Sequence, residues 1–462
     1  MSVSQKLRQR QTHSPMKRIL YIIVALFCLS ACSGDRSSIL KVYNWGDYID
    51  EDLIPEFEEW YEEQTGEPVT VVYQTFDINE TMLSKIEKGH EDYDVVCPSD
   101  YIIERMLRAD LLLPIDRDFG DTPNYIDENI SPCIKNWFNQ LDGHGKNAND
   151  YSVSYMWGTT GILYNTKYVD EEDTHSWAII QNEKYAGKIF VKDACRDVYS
   201  PILMHLRQDE ILSGAITREE LMYDSSDESL ARVSQFMKEA KDLVAGWEAD
   251  FGKEQMTQEK GWLNMTWSGD AVWAIVEAAD VGVELKYTVP DEGSNYWFDG
   301  WVIPKYARNV KAAKYFINFL CQPEVALRNM DYIGYVSAIS SPEILENIED
   351  EEYEPVDLSY FFGEGASSVC ANPAVYPDVS IIERCTLMHD WGDDSAKLVK
   401  MWSEVKGNNA SFFTYFIITV TFVVLVVAVV MKRTKLSKRR RQYARRRHAG
   451  NSQKSLPSLK ST

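Results

Sequence analysis

Histidine is scarce, seven in 462 residues. No Ser/His/Asp, Cys/His or Gly-rich phosphate-loop signature accompanies those seven, so nothing in the sequence demands catalysis or a cofactor. Eight cysteines are present, yet there is no CxxC and no Cys/His metal spacing, which argues against a zinc site. No internal repeat is visible. Acids are missing from both ends: residues 1–18 hold five Lys/Arg, residues 432–462 hold twelve, and neither segment has an Asp or Glu. Removing those seventeen cations from the formal charge of −23 leaves −40 on the residues between. A body this acidic repels nucleic acid and draws cations, although acidity also serves plain solubility.

Long apolar runs are also few. Residues 16–18 (Met-Lys-Arg) lead into 19–29, which is too short to span a bilayer and suits a signal h-region. Leu29-Ser30-Ala31-Cys32 then resembles a lipobox, in which Cys32 is the lipidated residue; a plain signal peptide with a chance cysteine is the alternative. Residues 1–32 are thus expected to be an extension and a lipoprotein signal. The second run, 412–431, is apolar apart from three Thr and long enough for a transmembrane helix. The Lys/Arg-dense stretch after it places 432–462 in the cytoplasm and the acidic body outside. The expected location is the extracytoplasmic face of a bacterial inner membrane, anchored there. Cys97, Cys133, Cys195, Cys321, Cys370 and Cys385 remain in the body, and their pairing is not legible.

What the body does have is aromatic residues next to acids. In Tyr43-Asn44-Trp45-Gly46-Asp47-Tyr48-Ile49, Val42 and Tyr43 read as the end of a buried strand and Asn44 and Gly46 as turn formers. Ligands of α/β sheets bind at such strand ends. An indole face beside a carboxylate suits a ligand both apolar and cationic; a core Trp followed by a solvated Asp has the same appearance. The pattern recurs in Trp267-Ser268-Gly269-Asp270 and in Tyr296-Trp297-Phe298-Asp299-Gly300, the latter expected just before a strand at 301–303. Three such pairs at strand–loop boundaries are more simply explained by one shared cleft.

Along the chain, Leu53, Ile54, Phe57, Trp60 and Tyr61 form a helical stripe closed by Gly66. Strands are expected at 69–73 and 93–97, and a helix follows Pro98-Ser99-Asp100-Tyr101, where Ser99 and Asp100 serve as caps or as ligand contacts. This alternation predicts an α/β domain with a largely parallel sheet. Tyr155–Gly161 suits either a crossing between lobes or an ordinary loop. Asp197 is a binding acid or a favourable charge in a helix's first turn. Tyr335, just after Gly334, is a pocket residue or a packing tyrosine.

With these motifs in view, the body from Leu40 to Lys406 resembles the spermidine/putrescine-binding proteins of bacterial ABC importers. The resemblance rests on 43–49, Tyr-Asp-Val-Val-Cys-Pro-Ser (93–99), Tyr-Met-Trp-Gly-Thr-Thr-Gly-Ile (155–162), Trp-Ser-Gly-Asp (267–270) and Ile-Asn-Phe-Leu-Cys-Gln-Pro-Glu-Val-Ala (317–326). It implies a two-lobe periplasmic-binding-protein fold of type II with hinge crossovers: 38–157 with 298–342 as one lobe, 158–297 with 343–406 as the other. It also implies a monomer that closes on putrescine or spermidine and serves permease subunits. Trp45, Trp267 and Trp297 match the aromatic walls, Asp47 and Tyr48 polar neighbours, Ser99 and Tyr101 further ligand contacts. Asp197, Asp270 and Asp299 match carboxylates, and Tyr335 a pocket tyrosine. Ala194 stands where spermidine binders carry another acid, with Asp193 adjacent but needing to re-aim; this leans toward a putrescine-like ligand. Other readings are a receptor for another small cationic or polar solute, which predicts Arg or amides in the cleft, and an extracytoplasmic carboxylate hydrolase, which predicts turnover.

Overall fold

Two long strands organise the molecule. The computed structural model describes residues 36–249 and 251–407. In chain order its strands are β1 (Ile39–Trp45), β2 (Thr70–Phe76), β3 (Val95–Val96), β4 (Leu112–Leu113), β5 (Ser152–Asn165), β6 (Ile189–Lys192), β7 (Val244–Glu248), β8 (Leu263–Trp267), β9 (Leu285–Thr288), β10 (Ser294–Pro304) and β11 (Val336–Ser337), with short strands following at Pro355–Val356, Val369–Cys370 and Cys385–Leu387. The main sheet runs β2-β1-β3-β10-β5-β8-β6-β7. Its two ends are parallel: β1 with β2 and β3, and β6 with β7 and β8. Its middle is antiparallel, β10 against β3 and β5, and β5 against β8.

The largely parallel sheet expected from the sequence is therefore two parallel blocks joined by an antiparallel centre. Every residue of β5 and β10 is buried. Strands covered on both faces read as continuous apolar runs, which is why neither shows alternation. Tyr155–Gly161 is strand throughout, not loop. Trp297 and Asp299 lie inside β10 and not before it. The strand expected over 93–97 shrinks to Val95–Val96.

Helices cover the sheet. Leu53–Thr65 buries Leu53, Phe57 and Tyr61 and stops at Gly66 in the left-handed conformation. Val310–Leu320 packs Phe316 and Phe319 against Phe57. Pro323–Ile333 has Pro at its first turn and ends on left-handed Gly334, the usual asymmetry of helix ends. A helix over Cys195–Leu206 follows β6, and another over Ser268–Asp280 follows β8 without an intervening loop.

The six body cysteines are free thiols. Cys32, the apolar run 412–431 and the basic stretch 432–462 lie outside the described residues. Among the described residues no helix is long and apolar enough to cross a membrane.

Candidate binding site

The site forms where β10 passes between the ends of the two parallel blocks. Opposite Asp299 the β10–β5 register slips: Phe298 faces Trp157 but Gly300 faces Ser154, so one residue of β10 meets two of β5. Bulges of this kind re-aim a side chain. Asp299 bridges instead to Ser99, on the other side. Its Oδ2 accepts a 2.8 Å hydrogen bond from the Tyr48 hydroxyl. Its Oδ1 is buried and accepts no hydrogen bond from the described residues. Burial raises the Asp299 pKa to about 6; the Ser99 and Tyr48 hydroxyls pull it down and the Asp197 charge pushes it further up.

Asp197 sits in the first turn of Cys195–Leu206. Three donors converge on its Oδ1: Trp267 Nε1 at 3.0 Å, Asn295 Nδ2 at 3.3 Å and Thr160 Oγ1 at 3.3 Å. Burial raises its pKa despite them. Neither Asp197 nor Asp299 has an ion-pair partner among the described residues, and both are buried, 8 % and 6 % exposed. Two carboxylates that feel each other's charge, each with one oxygen carrying no hydrogen bond from the described residues, form an anionic site short of cations.

The aromatic walls are placed by the same elements. Trp297 is two residues before Asp299 on β10, hence on the same face. Its ring lies 6.4 Å from Trp267 and 5.6 Å from Tyr335, centre to centre. Tyr335 stands edge-on to Tyr48 at 5.4 Å and donates to Asp270 Oδ1 at 2.9 Å. It reaches that position over Gly269, where an added Cβ would fall 2.4 Å from its ring. Trp45 ends β1 and packs on Phe76 at 4.5 Å; no ring contact joins it to Trp267 or Trp297. Asp47 is exposed on a left-handed turn, φ 51°. Tyr101 points to Asn79, which donates to both the Tyr101 and Ser99 hydroxyls, and the Arg196 guanidinium covers its ring at 4.4 Å.

Asp270, matched to a ligand-binding carboxylate, is paired within the chain: Lys192 Nζ lies 2.5 Å from its Oδ2. Asp193 has not re-aimed toward the site but accepts from Trp402 Nε1 at 2.7 Å. Lys192, Glu248, Asn295, Thr160, Asn79 and Arg196 were not singled out in the sequence. A further buried acid, Asp100, lies behind Asp299; burial raises its pKa well above the usual range, and its carboxylate accepts from the Tyr101 and Phe298 amides. A cavity of about 370 Å³ lined by residues such as Arg117, Ile134, Lys135 and Phe138 contains none of the expected site residues.

Comparison with known proteins places the chain in a family. A sequence model of the bacterial extracellular solute-binding proteins covers residues 56–352. The chain belongs to this family. Among curated relatives of this solute-binding protein is the spermidine/putrescine-binding periplasmic protein of Escherichia coli K12, 29% identical over 76% of this chain and 92% of that protein. Among solved structures, a putative spermidine/putrescine ABC transporter protein from Listeria monocytogenes superposes with a TM-score of 0.62 at 29% identity, over 80% of this chain and 99% of that one. A spermidine/putrescine ABC transporter substrate-binding protein from Streptococcus pneumoniae gives 0.57 at 30% identity, over 80% and 100%. The periplasmic-binding-protein-like α/β fold follows from these matches, as does an extracytoplasmic setting for the relatives.

Proposed function

We propose that this solute-binding protein captures a polyamine, putrescine or spermidine, between Asp197 and Asp299 and delivers it to the permease of an ABC importer. The observation that carries the reading is the pair of buried carboxylates with no ion-pair partner among the described residues, each with an oxygen open to a new donor. Buried unpaired charge is costly, and two ammonium groups remove that cost. Trp297 and Trp267 supply flat apolar faces for the methylene chain and attract the adjoining cations. A metal ion would satisfy the charge but would gain nothing from indole walls. The names of the relatives support the same ligand class.

In this proposal 38–157 with 298–342 and 158–297 with 343–406 are lobes, and β5 and β10 are the hinge strands between them. Tyr335 on Asp270 and Arg196 on Tyr101 are contacts across the closed cleft. The protein works as a monomer on the extracytoplasmic face, held by lipid at Cys32, by a span over 412–431, or by both. Trp45, Asp47, Tyr48, Ser99, Tyr101 and Tyr335 complete the binding set. Calorimetry of the full chain against putrescine, spermidine, spermine, amino acids and sugars tests the assignment. Binding of one polyamine per chain is expected, and binding of a sugar or amino acid with no polyamine signal defeats it.

A further inference from the structure

Lys192 closes β6 and is 1 % exposed, although lysine is almost never buried without partners. Its Nζ lies 2.5 Å from Asp270 Oδ2, 3.4 Å from Glu248 Oε1 and 4.0 Å from the centre of the Trp267 ring. Two carboxylates and an indole face are the groups by which a protein recognises an alkylammonium ion. Here the ammonium is supplied by the chain itself.

The rest of that end of the site is arranged in keeping. Glu248 is satisfied by the Gly252 amide and by Asn264 as well as by Lys192. Lys253 stands 3.9 Å from Asp270 Oδ1, so the two acids meet two lysines. Asp193 is turned toward Trp402, and Ala194 contributes no charge. Asp197 accepts from the Trp267 indole of this cluster and feels the Lys192 charge, but forms no ion pair with it.

We propose that Lys192 is a resident ammonium that fills one amine subsite and so limits the ligand to two charged amines, selecting a short diamine over a triamine. This inference rests on the polyamine reading above. Asp197 and Asp299 hold the two ligand ammoniums. A third one, reaching past Trp267, meets the Lys192 side chain and a carboxylate pair already neutralised.

Full-length protein in detergent is titrated with putrescine and with spermidine, as wild type, as Lys192→Ala and as Lys192→Ala/Glu248→Gln. The double variant removes one cation and one anion together, so the net charge of the buried cluster is unchanged and folding is protected. It leaves Asp270 beside Trp267 without the Lys192 amine, Lys253 at 3.9 Å remaining of the two lysines. The wild type is expected to prefer putrescine. In the double variant the ratio of spermidine to putrescine affinity is expected to rise tenfold or more. A smaller change in that ratio, with the melting transition intact, makes Lys192 a structural ion pair only and overturns the proposal. A wild type that binds neither amine removes the polyamine reading itself, and this inference with it.

Discussion

Tyr48 and Asp299 are 251 residues apart in sequence, yet the tyrosine hydroxyl donates to the carboxylate at 2.8 Å. The bond ties the turn after β1 to the middle of β10, where the facing β5 bulges. It satisfies one oxygen of Asp299 and leaves the other for a ligand.

Asp299→Asn and Trp297→Ala separate charge from shape on one strand. Loss of the carboxylate strands a ligand ammonium in a dry cleft, at a cost of about 2–5 kcal/mol by analogy with truncated interface charge pairs. Loss of the indole removes apolar cover and a cation–π contact, about 1–3 kcal/mol. Calorimetry with putrescine and spermidine is expected to rank Asp299→Asn as the weaker binder. Wild-type binding by Asp299→Asn with failure of Trp297→Ala would falsify the charge-reading site.

The pKa of Asp299, raised by burial from 3.8 to about 6, sets two pH dependences of opposite sign. In the ligand-free fold the carboxyl holds its proton more tightly than in the unfolded chain, so stability falls as pH rises from about 4 to about 6 and is flat above. That shift corresponds to about 3 kcal/mol lost by neutral pH. Ammonium binding needs the ionised form, so affinity rises over the upper part of the same window. Melting curves without ligand and titrations with putrescine between pH 4 and 8 are expected to move in opposite directions. Parallel movement excludes Asp299 as the controlling group.

Gly269→Ala probes the approach of Tyr335. Helical backbone tolerates Ala at this position, but its Cβ would lie 2.4 Å from the Tyr335 ring. The ring must withdraw from Asp270 and from Tyr48. Affinity for putrescine is expected to drop at least tenfold, about 1.4 kcal/mol, with a melting temperature lowered by only a few degrees. Unchanged affinity means that Tyr335 packs without shaping the site.

Topology is checked on intact spheroplasts. Protease added outside is expected to digest the acidic body and to spare a tag placed after residue 462. Loss of the tag reverses the orientation inferred from the Lys/Arg-rich end.

Much of this was legible locally. Val310–Leu320 follows from apolar spacing, and Pro323–Ile333 from apolar spacing with Pro at its start and Gly just past its end. The clustering of Trp267 with Trp297, and of Tyr48 with Asp299, agrees with the repeated aromatic–acid pattern. The strand identity of Trp297 and Asp299 was hidden because β10 is buried on both faces and carries no period-two signal. Lys192 was hidden for a different reason. At the end of Ile189-Phe190-Val191 it looks like a cation emerging into water, and Asp270, the acid that holds it inside, lies 78 residues downstream. Ion pairs across a sheet leave no mark on either segment alone. The same holds for Asn295, whose bond to Asp197 spans 98 residues.

The bulge opposite Asp299 bears on how such a protein can change its diet. Asn295, Trp297 and Asp299 occupy alternate positions of one strand, so all three present the same face. Exchanging any one of them alters that side chain's own contacts and leaves its companions in place. Inserting or deleting one residue between them turns the displaced members to the opposite face at a stroke. New ligand preferences at this strand are therefore reachable by point substitution and closed to changes of length.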